Sequence, residues 1–359
     1  MPSSRAPGSS RRRTESPRRV KVLIVKLSSL GDVVHAMPAV QDLRQAFPQA
    51  QIDWVVESAF APLVARCEGV RRVIACDLRQ WRKKPFARPT RLAWREFRAA
   101  LQRDRYDAVI DLQGLTKSAL VSWLARTTPQ GRRYGLANQT DGSSFEAPAR
   151  WVADRAIVLE PHVHAVQRSR LLCAAALGYA VAGPERFGLV PGALAVAQPV
   201  TAPHANGSNS FVPRKPVVAL VHGTSRADKQ WPVASWVALG QRLNHSGFAV
   251  ALAHGSATEK ATSDAIAAQL ADAWVWPGMG LDALTDTMAH CAGVVGVDSG
   301  LSHIAVALGL PHVQIYNFDT AWRTGPHNAR QLCVYATPQP SVDAVWQAWE
   351  SLATPVLCR

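Results

Sequence analysis

The first residue with chemistry to offer is an aspartate at the end of a short polar loop. Val22 to Val25 is a continuous apolar run. Lys26-Leu27-Ser28-Ser29-Leu30-Gly31-Asp32 follows, and Val33, Met37 and Val40 then resume at helical spacing. Strand, loop and helix in that order put Asp32 at the carboxyl edge of a parallel sheet, where α/β proteins hold ligands. A carboxylate there serves either as a helix N-cap or as a general base that takes a proton from a bound hydroxyl.

Two further loops suit a phosphate. An apolar strand, Val295-Gly296-Val297, runs into Asp298-Ser299-Gly300, followed by Leu301-Ser302-His303. Small residues there let backbone N–H groups approach an anion at a helix N-terminus. A capped helix without ligand is the alternative, and His303 alone would be an ordinary core or surface histidine. In His222-Gly223-Thr224-Ser225-Arg226-Ala227-Asp228-Lys229, two hydroxyls can donate to phosphate oxygens and Lys229 can neutralise charge developing on a leaving phosphate. A solvated capping loop is the alternative. Neither loop matches a Walker A or GxGxxG pattern, which disfavours a P-loop ATPase and a plain dehydrogenase. A last run, Arg79-Gln80-Trp81-Arg82-Lys83-Lys84 with Arg88, Arg91 and Arg95, follows a strand on the presumed cleft side and suits a polyanion. No recognised nucleic-acid module accompanies it.

The elements that must position these residues alternate. Strands are expected at 22–25, 51–56, 73–75 and 106–112, with helices at 36–46 and 91–103 and another from Ser118. After the Pro-rich stretch 183–216 the pattern restarts. Strands are expected at 216–222, 248–253, 293–297 and 312–316, and helices at 233–246, 263–273, 281–291, 302–308 and 341–351. Two βαβ series imply two doubly wound parallel sheets of α/β class, facing a cleft.

The bulk composition agrees. The chain has 359 residues, 48% of them hydrophobic, which suffices for two cores. No apolar run reaches membrane-spanning length, and the basic, Ser/Pro-rich start lacks the apolar stretch of a signal peptide. A net charge of +14 favours anionic partners. Six cysteines show no CxxC pair and no metal-ligand spacing, as in a reducing compartment.

Seven pieces in order resemble glycosyltransferase family nine, the ADP-heptose:lipopolysaccharide heptosyltransferases. They are VLIVKLSSLGDVVHAMPA, IDWVVE, RQWRKKPF, YDAVIDLQGLTKSAL, HAVQRSRLLCAAALGY, HGTSRADKQWP and VGVDSGLSHIAVALG, spanning nearly everything but the N-terminal tail. The His-Gly-Thr-Ser loop looks like the type I branch, since type II usually starts this loop Pro-Gly-Ala. The resemblance implies a GT-B architecture of two Rossmann-like domains. Residues 1–19 would be a disordered tail, 20–182 an acceptor-binding domain, 183–215 a linker and 216–340 an ADP-heptose-binding domain. Residues 341–359 would hold a helix with room to cross back onto the first domain.

It also implies an inverting transfer of L-glycero-D-manno-heptose from ADP-heptose onto the inner Kdo of Kdo2-lipid A, with no cofactor and no metal. Asp32 matches the family's catalytic base, and Lys229 a catalytic and donor-phosphate residue. Thr224, Ser225, Glu259, Met279, Asp298, Ser299, Gly300 and His303 match donor contacts. Ser29, Gly31, Arg79, Arg82 and Lys83 fall on the acceptor side. Two segments depart from the family pattern. Where the family often has an Ala-Arg-Glu-Pro stretch this chain has Asp141-Gly-Ser-Ser-Phe-Glu-Ala-Pro148, so the family's acceptor-contacting arginine is left unassigned. A Gly-Pro-Thr-Asp loop is replaced by Asn317-Phe318-Asp319-Thr320.

A cytoplasmic protein peripheral on the anionic inner-membrane face follows from the resemblance and the charge, with no nucleic acid expected. A type II heptosyltransferase or another nucleotide-sugar transferase of the same fold remains the alternative. A non-catalytic nucleotide- or nucleic-acid-binding protein, motivated by the charge, is the rival from another class.

Overall fold

The structure, a computed structural model, describes residues 19–192 and 215–357. The expected tail, apart from Arg19, and most of the expected linker lie outside the described residues. Two six-stranded sheets form the frame. The first comprises β1 (Lys21–Val25), β2 (Gln51–Glu57), β3 (Val70–Cys76), β4 (Arg105–Asp111), β5 (Arg126–Leu136) and β6 (Arg155–Ile157), in the order β3-β2-β1-β4-β5-β6. The second comprises β7 (Val217–Val221), β8 (Ala249–Leu252), β9 (Ala273–Val275), β10 (Gly293–Val297), β11 (His312–Tyr316) and β12 (Gln331–Tyr335), in the order β12-β11-β10-β7-β8-β9. Every pairing is parallel. Both sheets reverse direction of winding beside their first strand, β1 against β4 and β7 against β10. Those switch points are where such sheets open a crevice.

The helices of the first unit are α1 (Leu30–Ala46), α2 (Ala61–Val64), α3 (Leu78–Lys83), α4 (Arg88–Leu101), α5 (Thr116–Leu124), α6 (Ala147–Val152) and α7 (Ala165–Leu177). The second has α8 (Val233–His245), α9 (Ala257–Ala267), α10 (Leu281–Met288), α11 (Gly300–Ala307), α12 (Ala321–Thr324) and α13 (Val342–Leu357). The central strands are buried on both faces, so they read as apolar runs rather than alternations. Val22, Leu23, Ile24 and Val25 are all fully buried, each contributing roughly 1.5–3 kcal/mol by area.

Several expectations need correction. α1 begins at Leu30, six residues earlier than expected, because Ser29 and Asp32 form a capping box at its start. α9 also starts six residues early: Ser256 Oγ accepts from the Glu259 N–H at 3.2 Å. Residues 183–192, expected in the linker, pack on the first unit. Phe187 is buried there, the Glu68 N–H donates to Gly188 O at 2.7 Å, and Leu189 bridges Cys67. α13 packs on the second sheet rather than crossing back: Val345 and Trp349 are buried in that core, with Trp349 edge-on to Phe248 at 5.5 Å between centroids.

The units touch directly. Arg66 Nη2 lies 2.6 Å from Asp286 Oδ2, and Asp286 Oδ1 accepts from the Gly192 N–H at 2.6 Å. α1 packs against α11. No helix among the described residues is long and apolar enough to cross a membrane.

Candidate active site

The two switch points face each other across a cavity of about 580 Å³. From the first unit come Ser29, Gly31 and Asp32. From the second come Thr224, Ser225 and Lys229 after β7, Glu259 at the start of α9, Met279 before α10, and Asp298, Ser299, Gly300 and His303 after β10. These residues, scattered over 275 positions of sequence, line one space because each follows the carboxyl end of a strand or opens a helix.

Asp32 is both cap and candidate base. Its Oδ2 accepts from the Ser29 N–H at 3.2 Å and Ser29 Oγ at 2.8 Å. Its Oδ1 lies 3.4 Å from Lys26 Nζ and 3.4 Å from Arg168 Nη2. Burial alone would raise the Asp32 pKa. The Lys26 ammonium and then the Arg168 guanidinium outweigh it and hold the carboxyl well below the usual range. The capping carboxylate is therefore ionised, oriented, and still a third exposed. Burial in turn lowers the Lys26 pKa, with Asp32 opposing that.

On the other side Lys229 Nζ donates to Asp298 Oδ2, and Asp298 Oδ1 lies 3.3 Å from His303 Nε2. Burial would raise the Asp298 pKa, but the bond from His303 and the Lys229 charge keep it well below its ordinary value. Lys229 is thus engaged by a carboxylate at the wall of the cavity. Asn317, in the segment that departs from the family pattern, donates from Nδ2 to Asp228 O and Gln230 O, both at 2.9 Å. The loop 317–320 therefore fixes the backbone on either side of Lys229. The hydroxyl of Ser299 and Nδ1 of His303 are buried with no partner among the described residues, which leaves them open to a ligand. Glu259 Oε2 accepts from the Gly255 N–H at 2.6 Å.

The glycines have a role that the sequence reading did not foresee. A Cβ on Gly31 would sit 2.7 Å from His303 Cδ2, and one on Gly300 would sit 2.7 Å from Leu30 Cδ2. Gly31 and Gly300 thus make room for side chains of the opposite unit, and the tips of α1 and α11 interleave.

The basic segment is corrected in part. Arg79, Arg82 and Lys83 lie on α3 and do not line the main cavity. Arg79 Nε is 3.7 Å from Glu57 Oε1; Glu57 also holds Lys117, which donates to Ser28 Oγ at 2.6 Å, so Arg79 is linked to the Asp32 loop at its rim. Arg82 instead faces a second cavity of about 510 Å³, with Trp81, Trp94, Arg91 and Arg95. Trp81 packs with Trp94 and Phe97 of α4 into one aromatic group, Trp81 and Trp94 edge-on at 5.7 Å.

Sequence reading missed Lys26, His35, Gly142, Arg168 and Arg323. Arg168 had a signal: it and Arg170 interrupt an apolar helix, AVQRSRLLCAAAL, and both are buried. Arg170 pairs with Asp42 at 2.7 Å; Arg168 points to Asp32. Among the described residues no cluster of His, Cys, Asp and Glu could hold a metal ion.

Comparison with known proteins agrees with this geometry. The family model for glycosyltransferase family 9 (heptosyltransferase) matches residues 94–350. Lipopolysaccharide heptosyltransferase 1 of Escherichia coli K12 is 34% identical over 330 residues, covering 92% of this chain and 98% of the relative. The Pseudomonas aeruginosa protein of the same name is 36% identical over 316 residues, covering 87% and 83%. Lipopolysaccharide heptosyltransferase 2 of Escherichia coli K12 is 27% identical over 337 residues, covering 87% of this chain and 88% of the relative. Among solved structures, E. coli heptosyltransferase WaaC with ADP superposes with a TM-score of 0.79 at 32% identity, covering 93% of this chain and all of that one. The same protein with ADP-2-deoxy-2-fluoro heptose gives 0.75 at 33%, covering 92% and 99%. With paired switch points, a carboxylate on one wall and phosphate-suited loops on the other, this chain belongs to glycosyltransferase family 9, the heptosyltransferases.

Proposed function

We propose that the protein transfers L-glycero-D-manno-heptose from ADP-heptose onto the inner Kdo of Kdo2-lipid A, with inversion. The observation that carries this reading is the division of the cavity: one ionised carboxylate, Asp32, on the first unit, and Thr224, Ser225, Lys229 and the α11 tip opposite it. Inversion requires a base on the acceptor face and charge neutralisation on the leaving side. The acceptor hydroxyl attacks the anomeric carbon as the bond to ADP breaks; its proton passes to Asp32, and the departing diphosphate is met by Lys229, Ser299 and the loop hydroxyls. Glu259 and Met279, which also line the cavity, are suited to the ribose hydroxyls and the adenine ring. Stronger identity to type 1 relatives than to type 2 supports Kdo2-lipid A as acceptor.

The acceptor is membrane-borne, and the surface supports a peripheral encounter with an anionic bilayer. Phe86, 88% exposed, stands between Lys83-Lys84 and Arg88. Basic residues near the surface gain from anionic lipid and a single aromatic inserts at the interface. Flotation with anionic vesicles tests this: release by high salt is expected, and retention at high salt excludes it.

Mass spectrometry of heptose addition tests the reaction. Kdo2-lipid A and its mono-heptosylated form are offered separately with ADP-heptose. Transfer to the first alone is expected. Transfer only to the second makes the protein a type II enzyme, and ADP-heptose binding without transfer makes it a non-catalytic binder.

A further inference from the structure

Two arginines with spare donors face the cavity from opposite units. Arg168, on α7, is 8% exposed. Its Nη1 donates to Thr140 Oγ1 at 3.1 Å and its Nη2 to Asp32 Oδ1 at 3.4 Å, while its buried Nε has no partner among the described residues. Arg323, on α12, donates from Nη1 to Gly142 O; its buried Nε also lacks a partner, and among the described residues no carboxylate pairs with it. Burial lowers the Arg168 pKa, Asp32 raises it, and the positive charge of Arg323 lowers it again. Both arginines line the same cavity; Arg168 divides Asp32 with Lys26, and Arg323 has no carboxylate among the described residues, so an anion placed between them would be favoured.

The fold is built to bring Arg323 there. Gly142 has φ +65°, and a Cβ at that position would collide with the guanidinium. Trp322 stacks on His162 with ring centroids 3.7 Å apart, and His164 Nε2 is 3.0 Å from Gly325 O. These contacts seat α12 of the second unit against the first, on the side of the cavity that holds Asp32.

We propose that Arg168 and Arg323 form a cross-cleft clamp for the carboxylate of an acidic acceptor sugar. The proposal rests on the heptosyl-transfer reading above and adds the group that recognises the acceptor. A planar guanidinium matches a carboxylate with paired hydrogen bonds, and one from each unit makes acceptor binding depend on the closed arrangement. The donor diphosphate has the same anionic chemistry, but Thr224, Ser225, Lys229 and the α11 tip already supply its contacts. Arg168 instead lies beside the base that must receive the acceptor's proton.

The test is a cycle between Arg323→Ala and an acceptor whose Kdo carboxylates are amidated. Loss of a charged hydrogen-bond partner should raise the acceptor KM about tenfold or more in Arg323→Ala. The donor KM and ADP affinity should stay within about twofold, since neither contact is altered. The amidated acceptor should bind poorly to the native enzyme and lose little more in the variant, and Arg323→Lys should recover part of the loss. Equal relative losses on both acceptors overturn the clamp, as does weaker ADP binding in place of weaker acceptor binding, which would put the diphosphate between the arginines. If the native protein transfers no heptose, the heptosyl-transfer reading falls and calorimetry decides the clamp separately. Binding of Kdo2-lipid A to the ADP-loaded protein that needs both Arg323 and the carboxylates sustains it; binding indifferent to either, or no binding, overturns it.

Discussion

Lys26 Nζ stands 3.4 Å from Asp32 Oδ1 and 3.1 Å from the Leu112 carbonyl oxygen, and Lys26 is only 2% exposed. The carboxylate at the centre of the cleft is thus the salt-bridge partner of a buried ammonium. Asp32→Asn should therefore do two things. Turnover should fall on the order of 100-fold or more while ADP-heptose KM holds, as expected of a lost general base. The thermal midpoint should also fall, because Lys26 and Arg168 lose their shared counter-ion. Near-normal turnover would remove Asp32 from the base role; an unchanged midpoint would show that the pair contributes nothing to stability.

Lys229→Ala is expected to lower kcat on the order of 10² or more, the loss typical of one leaving-side donor. It leaves Asp298, 6% exposed, with His303 as its remaining partner. Steady-state kinetics with both substrates checks it. Unchanged kcat and KM would place the diphosphate elsewhere.

Asp32 and Asp298 both have depressed pKa values in the folded state. Their contribution to stability is complete above the ordinary carboxylate range and is lost only as pH falls below about 4. Buried histidines act in the same sense but in a higher pH window. Burial pushes His312 down to about 4, and burial followed by the His327 charge does the same to His164. Between about pH 4 and 6.5 the unfolded chain binds protons that the folded chain does not, so stability rises with pH across that window. A pH series of thermal midpoints should decline from pH 6.5 toward 4, with His312→Gln reducing the slope. A flat profile over that window would contradict both assignments.

Gly300→Ala should destabilise by about 1–3 kcal/mol through overpacking, since its Cβ meets Leu30. Leu30→Ala should rescue it only in part, because Leu30 Cβ itself would remain 2.8 Å away. Denaturant unfolding of the two single variants and the pair measures the coupling; full additivity would mean the tips do not touch in solution.

Legibility followed the physics of each segment. The buried runs VLIV, VVALV and GVVGV announce parallel strands because both faces are covered, and the loops after them hold most of the cavity. β5 escaped because RTTPQGRRYGL is polar and only its last two residues are buried. α9 was placed late because its Ala- and Thr-rich face has little apolar contrast, so the Ser256 cap sets its start. Arg323 and Gly142 are 181 residues apart and meet across two units, a pairing no local pattern encodes. The acidic and phosphate-suited loops could be read singly; which cation each carboxylate holds could not.

Leu30 over Gly300 and His303 against Gly31 mesh like gear teeth at the junction of α1 and α11. Teeth so engaged resist lateral slip, so the units are constrained to part by swinging rather than by shearing. The cavity lies along that seam, with residues of both units on its walls. One swing therefore uncovers both walls of the cavity at once.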